Sequence, residues 1–214
     1  MRRPFVWLWL AAVLPLAGCS QEAPEREPVE APPSPAARDA GTPAAERAPD
    51  PAAEEPARAD GYSSAYTAFD LEACRLTGES SEGASADYAC PGRGDVPIFV
   101  HLGDGRLDID AGIDGEEFTT IGAFNELGEG LEWRMKDGTP FAVIFRYRDV
   151  APQSEGRTVI GIEKIGQAGE PGCRVAQIGG ETPGANRVAR EIADTRAEDF
   201  RCGADEMRVV GNAR

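Results

Sequence analysis

The densest set of groups able to do chemistry is Asp104, Asp108, Asp110, Asp114, Glu116 and Glu117, with Gly105, Gly112 and Gly115 between them. Carboxylates separated by glycines supply hard oxygen ligands and sharp turns, the ingredients of a Ca²⁺ loop. Counted in EF-hand register from Asp110, however, the third position is Gly112 and the twelfth is Ile121, so two ligand positions fail. The alternate spacing of Asp108 and Asp110 instead suits an edge strand whose carboxylates keep it soluble and unpaired. Asp108, Asp110, Asp114, Glu116 and Glu117 are therefore candidate binding residues for a cationic partner, not a metal loop. His101 is the sole imidazole, which excludes any metal or catalytic site that needs two. No serine sits in a Gly-x-Ser-x-Gly elbow to serve as its nucleophile, and a lone His in a strand is ordinarily a cross-strand residue. No catalytic residue, metal ligand set or cofactor is expected.

Cys74, Cys90, Cys173 and Cys202 form an even set, which in an exported chain implies two disulfides. Three pairings are open; proximity along the chain favours Cys74–Cys90 and Cys173–Cys202. No pair is spaced closely enough for a zinc knuckle or a redox motif. Arg93-Gly94-Asp95 resembles an adhesion tripeptide, but between Pro91-Gly92 and the next apolar run those residues suit a tight turn. Trp133 alternates with Leu131 and Met135 and belongs in a core. Arg134, Arg146 and Arg148 occupy polar positions of adjacent strands, where Glu132 and its neighbours can pair with them.

Strand signals dominate the segment that must position these groups. Val96, Ile98, Val100 and Leu102 alternate, Gly103-Asp104-Gly105 turns the chain, and Leu107 to Ala111 follows. Leu131 to Lys136 alternates, Asp137-Gly138 turns, and Phe141, Val143, Phe145 and Tyr147 share a predicted face. Thr158 to Ile165 and Cys173 to Ile178 continue the pattern. One helix is predicted, with Thr182 as N-cap, Pro183 at its first position and an apolar stripe of Ala185, Val188, Ala189 and Ile192. Arg187 with Glu191 and Arg190 with Asp194 fall at pairing distance along it. The expected fold is α+β and mainly β: an antiparallel sheet or partly closed barrel, one C-terminal helix packed on it, and two disulfides.

Composition divides the chain of 214 residues into three parts. Residues 1–18 begin with Arg2-Arg3 and continue as an apolar run too short to span a bilayer, a secretory signal. Residues 20–60 hold nine Pro, ten acidic and four basic residues and no aromatic. Such a tether cannot bury enough apolar surface to offset its conformational entropy, and in polyproline II it reaches on the order of 100 Å. Residues 61–214 hold 16 basic and 27 acidic residues and form the expected folded domain. The net charge of −15 argues against nucleic acid as a partner, since phosphates are bound by clustered Lys and Arg.

Leu16-Ala17-Gly18-Cys19 resembles the bacterial lipobox. That resemblance implies export, a diacylglycerol on the Cys19 thiol, cleavage before it and acylation, such as by palmitate, of the freed amine. Several acyl chains anchor far more firmly than one. Ser20 after the Cys, by resemblance to Gram-negative lipoprotein sorting, implies the outer membrane facing the periplasm. Within the domain, Tyr88-Ala89-Cys90 with Gly92, Val96-Pro97-Ile98, Leu131-Glu132-Trp133-Arg134 with Pro140-Phe141-Ala142, Cys173, and Ala185 to Asp194 resemble an uncharacterised family of exported proteobacterial proteins. That family implies no activity. The expected function is a lipid-anchored, non-enzymatic binding or structural module, contacting the membrane through its lipid and a cationic envelope protein or cell-wall polymer through its acidic run. Inhibition of a basic envelope hydrolase is its specific form. The alternative is a carboxylate-based hydrolase of envelope glycan using two of Asp108, Asp110 and Glu132 across a groove.

Overall fold

A computed structural model describes residues 60–115, 117–154 and 156–214; the signal segment, Cys19, the tether and Glu116 lie outside the described residues. In chain order the elements are β1 (Tyr62–Ala68), β2 (Arg75–Glu79), β3 (Ser85–Arg93), β4 (Val96–Gly103), β5 (Arg106–Ala111), β6 (Asn125–Leu127), β7 (Gly130–Lys136), β8 (Thr139–Asp149), β9 (Thr158–Lys164), β10 (Cys173–Gly179), α1 (Ala185–Ile192) and β11 (Arg208–Val210). The two Asp-Gly turns form as the sequence requires. Asp104 and Gly105 have φ of 53° and 69°, Asp137 and Gly138 48° and 81°, the paired positive values of a type I′ hairpin.

The strands make two sheets. One is four-stranded and antiparallel, in the order β2-β3-β4-β5; the other has seven strands, β1-β7-β8-β9-β10-β11 with β6 added beside β8. Ile98, Val100 and Ile109 of the smaller sheet pack with Leu131, Trp133, Val143, Phe145 and Tyr147 of the larger one. Ile144, Ile160, Ile162 and Ile178 pack with Ala189, Ile192, Ala193 and Phe200 in a second core under α1. The larger sheet is thus buried on both faces, which is why β8 and β9 read as near-continuous apolar runs. Each fully buried Ile or Phe here contributes about 1.5–3 kcal/mol. Trp133 is fully buried, as its alternation implies, and its Nε1 donates to Thr67 Oγ1 at 2.8 Å.

The architecture is mainly β with a late helix and both disulfides, Cys74–Cys90 and Cys173–Cys202. No barrel closes among the described residues: the sheets remain separate, although the Gly166 N–H donates to the Ala111 carbonyl at 2.8 Å. Three details differ from expectation. β11 pairs parallel to β10, with α1 crossing between them, so the larger sheet is not wholly antiparallel. Phe141 joins the core under α1, away from Val143, Phe145 and Tyr147, because a register shift beside it at Arg134/Met135 changes the alternation. Thr182 does not cap α1: Gly184, at φ +67°, precedes the first helical residue, and the Ala185 N–H instead closes a turn onto the Thr182 carbonyl. A positive φ there suits glycine.

Candidate functional site

The centre of the acidic run is an edge strand, as its alternation implies, but the two carboxylates of that strand are not solvated, while Asp104, Asp114 and Glu117 on either side of it are exposed. Asp108 is 1% exposed and Asp110 4%. Both line a cleft of about 420 Å³ that also takes in Asp114, Glu117, Glu163 and Arg174. β5 supplies Asp108 and Asp110, the segment after it Asp114 and Glu117, β9 Glu163 and β10 Arg174; the Cys173–Cys202 disulfide lies at the rim. The cleft is therefore built where the edge of the smaller sheet meets the larger one.

Arg174 explains how the edge carboxylates are buried. Its Nη2 donates to Asp108 Oδ1 and its Nε to Glu163 Oε2, each at 2.8 Å, and Nη2 also donates to Tyr147 Oη at 3.1 Å. The guanidinium lies over the Phe145 ring, 4.7 Å from its centroid. Asp108 accepts two more bonds, from the Ile109 N–H at 2.8 Å and the Thr119 N–H at 2.6 Å. Burial nevertheless pushes the Asp108 carboxyl up, against the pull of Arg174 and Thr119. It pushes Glu163 well up too, again against Arg174. One cation neutralises one carboxylate, so the second of the pair holds its proton longer.

His101 occupies the neighbouring position on β4. Register places it between Asp87 on β3 and Asp108 on β5, the cross-strand setting that its place in an alternating run implies. Its Nδ1 lies 2.8 Å from Asp87 Oδ1, and its Nε2 lies 2.9 Å from Asp114 Oδ1 and 3.3 Å from Asp110 Oδ2. The last two contacts are close without hydrogen-bond alignment. Asp110 raises the imidazole most, burial opposes it, and Asp87 and Asp114 add to the rise, carrying it to about 9. Asp110 is itself held by the Gly115 N–H, which donates to its Oδ2 at 3.0 Å.

Of the sequence-predicted site residues, Asp108, Asp110, Asp114 and Glu117 meet in the cleft, and Glu116 lies outside the described residues. Glu132 is not among the cleft residues; it accepts from Ser64 Oγ at 2.5 Å and Arg190 Nε at 2.6 Å. Of the three arginines considered with it, Arg134 is buried and forks onto Asp194, Arg148 pairs with Glu126 and Arg146 donates to Asn186. Arg174 and Glu163 are charged cleft residues that spacing did not single out. A trace of Glu163 is present in the sequence, since a carboxylate interrupts the apolar run from Val159 to Ile165.

The same segment carries exposed apolar side chains. Ile113, Phe118 and Phe124 are all more than one-third exposed and lie in the residues that follow β5; Ile113 and Phe118 adjoin Asp114 and Glu117 in the chain, and Phe124 lies over Gly105 at the β4–β5 turn. Compared with protein-family models, curated proteins and solved structures, the chain matches none.

Proposed function

We propose that the domain is a non-enzymatic binding module, exported and held to the outer membrane through lipidated Cys19 and the tether. Its cleft takes the cationic side chain of an envelope protein such as a basic hydrolase. One observation carries this reading. Asp108, Asp110, Asp114, Glu117 and Glu163 converge on a cleft whose one lining guanidinium, Arg174, is already spent on Asp108 and Glu163. A lysine or arginine entering there meets carboxyl groups that outnumber their two nearby cations, Arg174 and the raised imidazole of His101, in a partly desolvated setting where Coulomb attraction exceeds that at an open surface. Ile113 and Phe118, next to Asp114 and Glu117 in the chain, supply apolar contact beside the charged group, the pairing common to the centres of protein interfaces.

Lysozyme serves as the cationic probe. The chain is expected to bind it at low salt, to lose affinity as salt rises, and to lose at least tenfold in the Asp114→Asn/Glu117→Gln variant. Unchanged affinity in that variant overturns the reading. Mass measurement of the mature N-terminus tests the anchor separately; an unmodified Cys19 thiol overturns it.

A second reading, hydrolysis of envelope glycan, draws on Asp108 and Glu163, both pushed up by burial and approaching one cleft from different sheets. A raised carboxyl holds its proton to higher pH than an ordinary one, the direction a general acid requires. Release of soluble fragments from purified cell wall, abolished by Glu163→Gln, is its test; no release ends it.

A further inference from the structure

We infer that His101, Asp110 and Asp114 form a binding site for one borderline divalent cation of the Zn²⁺ kind, on the wall of the cleft. The three side chains each offer one ligand atom, and these atoms all lie within 4.8 Å of one another. The two separations from the imidazole nitrogen fit a shared ion. Nε2 stands 2.9 Å from Asp114 Oδ1 and 3.3 Å from Asp110 Oδ2. Ligands about 2.1 Å from Zn²⁺ are about 3.0–3.4 Å apart in octahedral or tetrahedral geometry.

The hydrogen bonding argues in the same direction. Asp87, an acceptor-only carboxylate, takes the Nδ1 proton at 2.8 Å, which leaves Nε2 as the ring nitrogen turned toward an ion. Nε2 is buried, has no hydrogen-bond partner and faces two carboxylate oxygens. Three ligand atoms converge on one point, and a bound cation takes the place of the ring proton between them and releases it. A carboxylate behind the imidazole is the usual support of a metal-bound histidine, and here Asp87 provides it from the adjacent strand. His101 and Asp110 stand on paired strands β4 and β5, and the Gly115 N–H steadies Asp110, so two ligands are held by sheet and the third by the segment after it. Asp110 and Asp114 also face the cleft, which leaves the remaining coordination positions to water or to a ligand. One nitrogen with two carboxylate oxygens favours Zn²⁺ over Ca²⁺, which takes oxygen ligands alone.

The proposal shares Asp110 and Asp114 with the binding reading and does not rest on it. The probe is Zn²⁺ added to the purified full chain with its disulfides intact. Since the chain has one histidine, the ring resonances belong to His101 without ambiguity. One equivalent of Zn²⁺ is expected to shift the ring ¹⁵N signal of Nε2 to that of a metal-bound nitrogen while Nδ1 keeps its proton. The dissociation constant is expected to rise at least tenfold in His101→Ala and in Asp87→Asn. A ring whose signals do not move with Zn²⁺, or whose Nε2 stays protonated, overturns the site without any variant; equal affinity in His101→Ala does so independently. Lysozyme capture retained in His101→Ala, where the cleft carboxylates remain, separates failure of the metal site from failure of the partner reading.

Discussion

Arg174 Nη2 and Asp108 Oδ1 meet at 2.8 Å across the gap between two sheets, joining β10 of the larger to β5 of the smaller. Both side chains are almost wholly buried, and Glu163 and Tyr147 also accept from the guanidinium. Breaking such a set by removing one member leaves the others desolvated and unpaired, which costs about 3–5 kcal/mol. Arg174→Met is accordingly expected to lower unfolding stability by about that amount in urea titration. The Arg174→Met/Glu163→Gln/Asp108→Asn variant is expected to recover part of the loss, since it leaves no buried charge there. A single variant as stable as the parent would mean that the sheets hold their spacing without this bridge.

At the far end of β8, Asp149 ties the chain terminus to the larger sheet. Its Oδ2 accepts from Arg157 Nε at 3.1 Å and Nη2 at 2.9 Å, and its Oδ1 from the Ala151 N–H at 3.0 Å. Arg157 Nη1 in turn donates to the carbonyls of Asn212 and Arg214. Burial raises the carboxyl, but the Ala151 N–H and Arg157 outweigh it, and Asp149 lies below the ordinary value. A depressed carboxyl contributes stability that is present above its unfolded-state pKa and is lost as pH falls through its folded one. The stability gap between the parent and Asp149→Asn is therefore expected to be constant from pH 7 to 5 and to close below about pH 4. Urea midpoints at a series of pH values measure it. A gap that stays open at pH 2 would place the effect in packing rather than ionisation.

The same contrast between local and distant causes separates what the sequence disclosed from what it did not. The two hairpins need only Asp104-Gly105 and Asp137-Gly138. Cys74–Cys90 and Cys173–Cys202 close across 16 and 29 residues, so proximity selects them from three pairings. Trp133 and the stripe of Ala185, Ala189 and Ile192 follow from periods of two and 3.6. Burial of Asp108 depends on Arg174, 66 residues later, and no pattern within β5 announces it. The neighbours of His101 likewise follow from the register of three strands, a one-residue slip of which would turn the ring to the other face. Thr182 has the right type for a cap, but Gly184 intervenes with a backbone that only the folded turn specifies. β11 is three residues long, too short for alternation to mark, and it forms because α1 returns the chain alongside β10.

Gly112 fixes the start of the segment that carries Asp114 into the cleft. It has φ +82°, and a Cβ there would lie 2.3 Å from the Gly166 carbonyl oxygen and 3.0 Å from Ile165 Cγ2. Its N–H donates to the Pro97 carbonyl at 2.9 Å, so the backbone cannot simply swing outward. Gly138 has nearly the same φ, +81°, with nothing within 4 Å of its Cβ direction. The two positions separate strain from collision. Gly138→Ala is expected to lose about 1 kcal/mol, the left-handed backbone penalty alone. Gly112→Ala adds displacement of the Ala111–Gly166 contact between the sheets and is expected to lose at least about 1–3 kcal/mol more. Thermal or urea midpoints of the two variants side by side give the difference. Equal losses would mean that the sheet edges yield freely at Gly166, and that Asp114, two residues on, is not held where it stands by that contact.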